Sequence, residues 1–177
     1  RVDAPAFFSR FWEREPVVFR NGHESSKDRL RDMFGLSLHP LNAGHFDASV
    51  RYMKDGSPID FAESALPSSM HTALRNNATA VYSGLESAST DILGRQNQIR
   101  NVLLSLEDQM MTLAHANAYL TPSGHRGLAP HFDVHDFFAL QLEGSKDWVI
   151  AAPLRPLALT KSHVSMDNFD AARRAYE

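Results

Sequence analysis

The feature that most limits what this sequence can fold into is a change of hydrophobic period shortly after residue 106. From about Thr90 to about Leu106, the residues Ile92, Leu93, Ile99, Val102, Leu103 and Leu106 keep an apolar stripe at helical spacing, with Arg95, Gln96, Gln98 and Arg100 left to face water. Beyond it, apolar residues come in short runs broken by Gly and Pro, which is the pattern of strands and turns. Asn117-Ala118-Tyr119-Leu120 reads as a strand, 121–127 as a loop and His131 to Leu142 as a long strand region. Glu143-Gly144-Ser145-Lys146 is a tight turn into a last strand, Asp147 to Ala151, ended by Pro153 and Pro156. A chain of 177 residues with 43% hydrophobic and 22% charged side chains can bury a core around such strands. The expectation is a mainly β fold with flanking helices, one domain over 1–177 with an internal boundary near residue 110.

The first half is expected to supply helices and further strands. Asp3 caps a helix whose first turn tolerates Pro5, with Phe7, Phe8, Phe11 and Trp12 on one face and Glu15-Pro16 as its end. Val17-Val18-Phe19 reads as a short buried strand closed by Asn21-Gly22, and Ser25 to Phe34 as a helix stopped by Gly35. Phe46 to Tyr52 and Ile59 to Phe61 read as strands joined around Asp55-Gly56. A brief helix at Met70 to Leu74, a strand at Ala80 to Tyr82 and a helical tail from Asp167 to Glu177 complete the reading.

Composition narrows the chemistry. The absence of Cys excludes disulfides, thiolate catalysis and thiolate metal sites, so any metal must sit on His, Asp or Glu, and it fits a reducing, cytoplasmic compartment. A net charge of −3 and a pI near 6.3 give no general drive toward nucleic acid. No apolar run approaches the roughly 20 residues of a membrane-spanning helix. The start at Arg1 rather than Met reads as a trimmed N-terminus. Nine His residues are many for this length.

The informative stretch is Gly127-Leu128-Ala129-Pro130-His131-Phe132-Asp133-Val134-His135. On an extended strand His131 and Asp133 point the same way, with Phe132 opposite. One imidazole and one carboxylate on a stiff strand make two thirds of the facial triad that binds non-haem Fe(II) and leaves positions open for co-substrate and dioxygen. The spacing alone equally fits a polar loop at a strand start. Lys146 lies one hairpin later, where its ammonium reaches the same cavity or sits in a solvated turn. Asn117 and Tyr119 share a strand face and offer an amide and a phenol, to a ligand or to nearby backbone groups. Together these groups suit an anionic, chelating co-substrate.

The segments Asn117 to Gly124, Gly127 to Asp133 and Phe137 to Trp148, with the opening Phe8-Ser9-Arg10-Phe11-Trp12-Glu13-Arg14-Glu15-Pro16-Val17-Val18, resemble the cupin-type JmjC oxygenases of the ribosomal-oxygenase branch. The resemblance covers about residues 7 to 157. It implies a double-stranded β-helix, the jelly-roll or cupin core, incomplete at the C-terminus of this chain. It also implies that His131 and Asp133 are the first two iron ligands, that Lys146 pairs with the distal carboxylate of 2-oxoglutarate, and that Asn117 and Tyr119 line the same pocket. The implied reaction is hydroxylation by dioxygen coupled to decarboxylation of 2-oxoglutarate. The implied substrate is an Arg or His side chain of a protein or peptide, with ribosomal proteins foremost, and the resemblance leaves open a homodimer built through a C-terminal region.

The chain departs from the family pattern after Lys146. His163 stands in Lys161-Ser162-His163-Val164-Ser165, without the glycine turn that accompanies the family's third ligand, so that ligand is expected beyond Glu177. Two other functions stay open: hydroxylation of a peptide natural product, and a degenerate cupin that binds without catalysis. His135 reads as a support for a ligand or as a rim residue, His115 and His125 as surface or capping residues in preference to substrate contacts, and Phe132, Phe137, Phe138 and Trp148 as barrel core in preference to a substrate-stacking platform.

Overall fold

Antiparallel pairing organises the middle of the chain in the computed structural model, which describes residues 3–19, 49–59, 73–87, 98–151 and 162–163. Two compact units form, one over Arg31–His131 and one combining Arg1–Leu30 with Phe132–Glu177.

The first unit holds a four-stranded sheet in the order β2-β1-β3-β4, with β1 at Ser49–Lys54, β2 at Ser57–Ile59, β3 at Thr79–Ser83 and β4 at Asn117–Leu120. Asp55 and Gly56 both adopt positive φ, 49° and 84°, and form the two-residue loop between Lys54 and its partner Ser57. That backbone follows the right-handed twist of the strands, and it explains why Asp-Gly is legible as a hairpin turn. β3 is central: it pairs with β1 and β4, and Thr79, Ala80, Val81 and Tyr82 are all buried. Pairing sets Tyr52, Ala80, Tyr82, Ala118 and Leu120 on one face, and Arg51, Thr79, Val81, Asn117 and Tyr119 on the other. With Ala73, Ala78, Leu85 and Ile99, the buried strand residues make the core.

A helical turn at 73–75 leads into β3 through Asn77, whose φ of 57° suits a residue type tolerant of the left-handed region. Between β3 and β4 run a 3-10 turn, Leu85–Ser87, and a helix α2, Gln98–Met110. The helix extends four residues past Leu106. Glu107, Asp108 and Gln109 contain no breaker, the Glu107 carboxylate accepts the Ala114 amide at 2.8 Å, and the chain leaves the helix at Met111 with φ 54°.

In the second unit Asp3 caps α1, Ala4–Arg10: its Oδ1 accepts the Ala6 amide at 2.8 Å, and Pro5 sits in the first turn. The helix ends before Glu15-Pro16 because Glu13 turns left-handed (φ 57°) and the amides of Arg14 and Glu15 return to the Phe11 carbonyl. Its aromatic face packs as expected, with Phe7 6.1 Å from Phe138 and Trp12 stacked on Phe138 at 6.1 Å. Val17 to Phe19 is irregular rather than a strand, and Phe19 instead sets its ring 6.3 Å from Phe7.

Two further strand expectations need correction. The strand from His131 stops after two residues, β5 at His131–Phe132, which pairs with β6 at Ser162–His163, and neither 133–142 nor 147–151 is strand. Alternating apolar residues make a segment competent to pair, but a strand exists only with a neighbour for its ladder, and these segments have none among the described residues. Consistently, Phe137, Phe138 and Trp148 are 61%, 47% and 51% exposed rather than core, with Phe137 and Trp148 stacked on each other at 5.9 Å. The turn at Glu143-Gly144 is present, with Gly144 at φ 65°. The expected elements at 25–34, 46–48, 60–61, 70–72, 90–97 and 167–177 lie outside the described residues.

Candidate active site

His131 stands at the first position of β5, and its ring is tied back to its own chain. Nδ1 lies 2.7 Å from the carbonyl oxygen of Ala129. A carbonyl only accepts, so Nδ1 carries the proton and the lone pair resides on Nε2. The stretch before it is seated on the sheet. Leu128 bridges to Gly56 in the β1–β2 turn, and Gly127 lies so close to Thr79 that a Cβ there would fall 2.6 Å from Thr79 Oγ1.

Asn117 and Tyr119 share the exposed face of β4, as the period-2 reading requires. Asn117 Oδ1 accepts the Gly84 amide at 3.4 Å, so this side chain also serves the backbone at the end of β3. Tyr119 is 45% exposed and stands opposite Val81. These two and His131 belong to the first unit, and Asp133 and Lys146 to the second.

Asp133 follows the last residue of β5, so the strand alternation invoked for it from sequence ends one residue short. It is half-buried while His131 is exposed, and its Oδ1 is shielded from solvent. Lys146 is exposed, and its Nζ lies 4.8 Å above the Trp148 ring, a cation–π contact that orients the ammonium. Among the described residues no three His, Asp or Glu side chains gather as a metal cluster.

One group escaped sequence reasoning. Glu86, in the 3-10 turn, accepts from the Ala116 amide through Oε2 at 3.0 Å and pairs with His115 Nδ1 through Oε1 at 2.9 Å. Burial by itself raises its pKa, but the Ala116 amide and His115 outweigh it and hold the carboxyl below its ordinary value. The clamp fixes the residue pair leading into β4, so His115 has the capping kind of role expected for it. Its partners are 29 and 30 residues apart in sequence, with no spacing rule to reveal them. His125 lies in the loop after β4 and His135 is exposed.

Residues 92–177 match the JmjC domain family. Ribosomal oxygenase 1 of Danio rerio is 48% identical over 153 residues, 86% of this chain and 28% of that protein. Ribosomal oxygenase 1 of Bos taurus is 32% identical over 164 residues, 88% of this chain and 24% of that protein. A protein of Drosophila persimilis named bifunctional lysine-specific demethylase and histidyl-hydroxylase NO66 is 43% identical over 60 residues, 34% of this chain and 9% of that protein. The chain thus spans about a quarter to a third of the length of the ribosomal oxygenases it matches. With the His131 and Asp133 stretch inside the matched segment, residues 92–177 belong to the JmjC domain family, and the chain is similar to ribosomal oxygenases over most of its length.

Proposed function

We propose that this chain carries the metal- and co-substrate-binding part of an Fe(II)- and 2-oxoglutarate-dependent protein hydroxylase that modifies an Arg or His side chain, foremost of a ribosomal protein, in the cytoplasm. The observation that carries this reading is that His131, its Nδ1 bonded to the Ala129 carbonyl, and Asp133 lie two residues apart inside the matched JmjC segment. The donor types fit the metal. A neutral imidazole and a carboxylate two residues apart, in a chain without thiols, match the facial set of non-haem iron, and a shielded carboxylate oxygen is the form in which Asp133 would meet a cation.

In this reading His131 and Asp133 hold the metal. Bound Fe(II) with 2-oxoglutarate supplies the oxidation, in which dioxygen is reduced, the co-substrate loses carbon dioxide to become succinate, and the substrate side chain gains a hydroxyl. The chain's own part is binding and orientation. Lys146, held over Trp148, offers its charge to the distal carboxylate of the co-substrate, and Asn117 and Tyr119 offer an amide and a phenol as hydrogen-bonding groups. Ribosomal proteins as targets are supported by the names of the relatives, and a His side chain by the name of the Drosophila protein.

The test is Asp133→Ala in the protein, assayed on peptides of ribosomal proteins. Both the mass gain of one oxygen and the accompanying succinate are expected to vanish. Succinate formation still coupled to hydroxylation in that variant would remove Asp133 from the metal.

A further inference from the structure

We infer that Gly56 and Gly127 are positioning residues for His131: they let the segment 127–129 lie against the sheet so that the Ala129 carbonyl takes the Nδ1 proton and fixes the ring. The consequence for metal binding rests on the iron reading given above, whereas the seating itself does not.

Gly127 lacks a positive φ, so its glycine answers to space and not to backbone conformation. A Cβ there would meet Thr79 at 2.6 Å from Oγ1 and 3.0 Å from both Cβ and Cγ2. Thr79 cannot withdraw easily, because it lies buried in the central strand and its hydroxyl bonds Thr121 Oγ1 at 3.1 Å. Two residues further on, Ala129 rests on the β1–β2 turn. A Cβ on Gly56 would stand 2.9 Å from Ala129 Cβ and 3.1 Å from its amide nitrogen, both closer than packed side chains sit. The segment is therefore held at two points, on β3 and on the hairpin turn, with Leu128 bridged to Gly56 between them.

Little freedom remains between this anchor and the imidazole. Pro130 fixes its own φ and keeps Ala129 extended, so the Ala129 carbonyl and the His131 ring are separated by a stiff link. The 2.7 Å contact from Nδ1 to that carbonyl then selects the tautomer. Two glycines remote in sequence from His131 thus determine which ring nitrogen it offers.

The experiment records long-range proton–nitrogen spectra of metal-free, 15N-labelled protein at a pH where the ring is neutral. In the native protein His131 is expected in the Nδ1–H form. Gly127→Ala and Gly56→Ala are each expected to move it toward the Nε2–H form that unconstrained histidine prefers. Adding Thr79→Ala to Gly127→Ala removes Oγ1 and Cγ2 from the collision and is expected to restore the native tautomer in part. Affinity for Co(II), read from the visible absorption of the ligated ion, should fall about 10- to 100-fold in the single variants and follow the tautomer in the double variant. Folded Gly127→Ala and Gly56→Ala that keep the native tautomer would overturn the inference. Should Gly127→Ala not fold, Ala129→Gly decides in its place: it removes the side chain that rests on Gly56 without adding bulk, and a native tautomer kept in that variant would overturn the inference. A tautomer that shifts as expected, in a protein whose Co(II) affinity is unchanged by His131→Ala, would uphold the seating and refute the iron reading.

Discussion

Lys146 shows how a single side chain can be legible in chemistry and illegible in setting. In the proposed reading its place after the Glu143-Gly144 turn nominates it as a cation for the co-substrate, but the contact with Trp148 at 4.8 Å follows from the path of 143–151, which is not a strand. A charge-assisted pair with a carboxylate contributes about 1.5–3 kcal/mol. Lys146→Ala is therefore expected to weaken 2-oxoglutarate binding by about 10- to 100-fold and leave metal affinity unchanged, as titration calorimetry would show; equal co-substrate affinity would exclude Lys146 from the site. Tyr82 poses the opposite case, since its hydroxyl is buried and has no hydrogen-bond partner among the described residues. Burial first, and Tyr52 nearby second, push its pKa up to about 12. A phenol that resists ionisation in the fold favours the native state below its ordinary pKa of 10, and that advantage is lost as pH rises from there through about 12. Tyr82→Phe removes an unsatisfied group at constant shape, so urea unfolding at neutral pH should show unchanged or higher stability, by up to about 1 kcal/mol, and a smaller alkaline loss. A loss of more than about 1 kcal/mol at neutral pH would mean that the hydroxyl is satisfied.

Among the elements, those carried by local signals were readable. β4 has the predicted bounds, α1 has the predicted cap, and the Asp55-Gly56 turn has the predicted geometry, because capping, alternation and left-handed turn residues all act within a few positions. The failures have one physical origin. At 133–142 and 147–151 apolar runs between turn residues suggest strands that the structure does not form, because pairing is a property of two segments and sequence names only one of them. The Glu86 clamp and the contact of Gly127 with Thr79 were invisible for the same reason, being made by residues far apart in the chain. The clamp carries a pH prediction. A carboxyl whose pKa is lowered by folding contributes stability that is present above its ordinary value and lost as pH falls through the lowered one. Glu86→Gln should therefore melt below the native protein near neutrality, with the gap closing in acid; a gap independent of pH would show that the carboxylate charge is not what the clamp uses.

At the scale of the molecule, the sheet of the first unit seats the segment 127–129 that leads into His131, and the chain passes at Phe132 into the second unit. The fold class and family were legible from the order of short motifs along the sequence, and the spacing of His131 and Asp133 is what nominates them as ligands. What sequence did not reveal is how His131 is aimed, since that depends on a turn near residue 56 and a strand near residue 79. No helix among the described residues is long and apolar enough to cross a membrane. The central claim is that His131 and Asp133 hold iron to which 2-oxoglutarate chelates. It is tested most directly by adding 2-oxoglutarate anaerobically to the Fe(II)-loaded protein and reading the visible charge-transfer band of the chelate. The account predicts a band that appears only with both components and is lost in His131→Ala and in Asp133→Ala. A folded, iron-loaded protein without the band, or one whose band survives both substitutions, would contradict it.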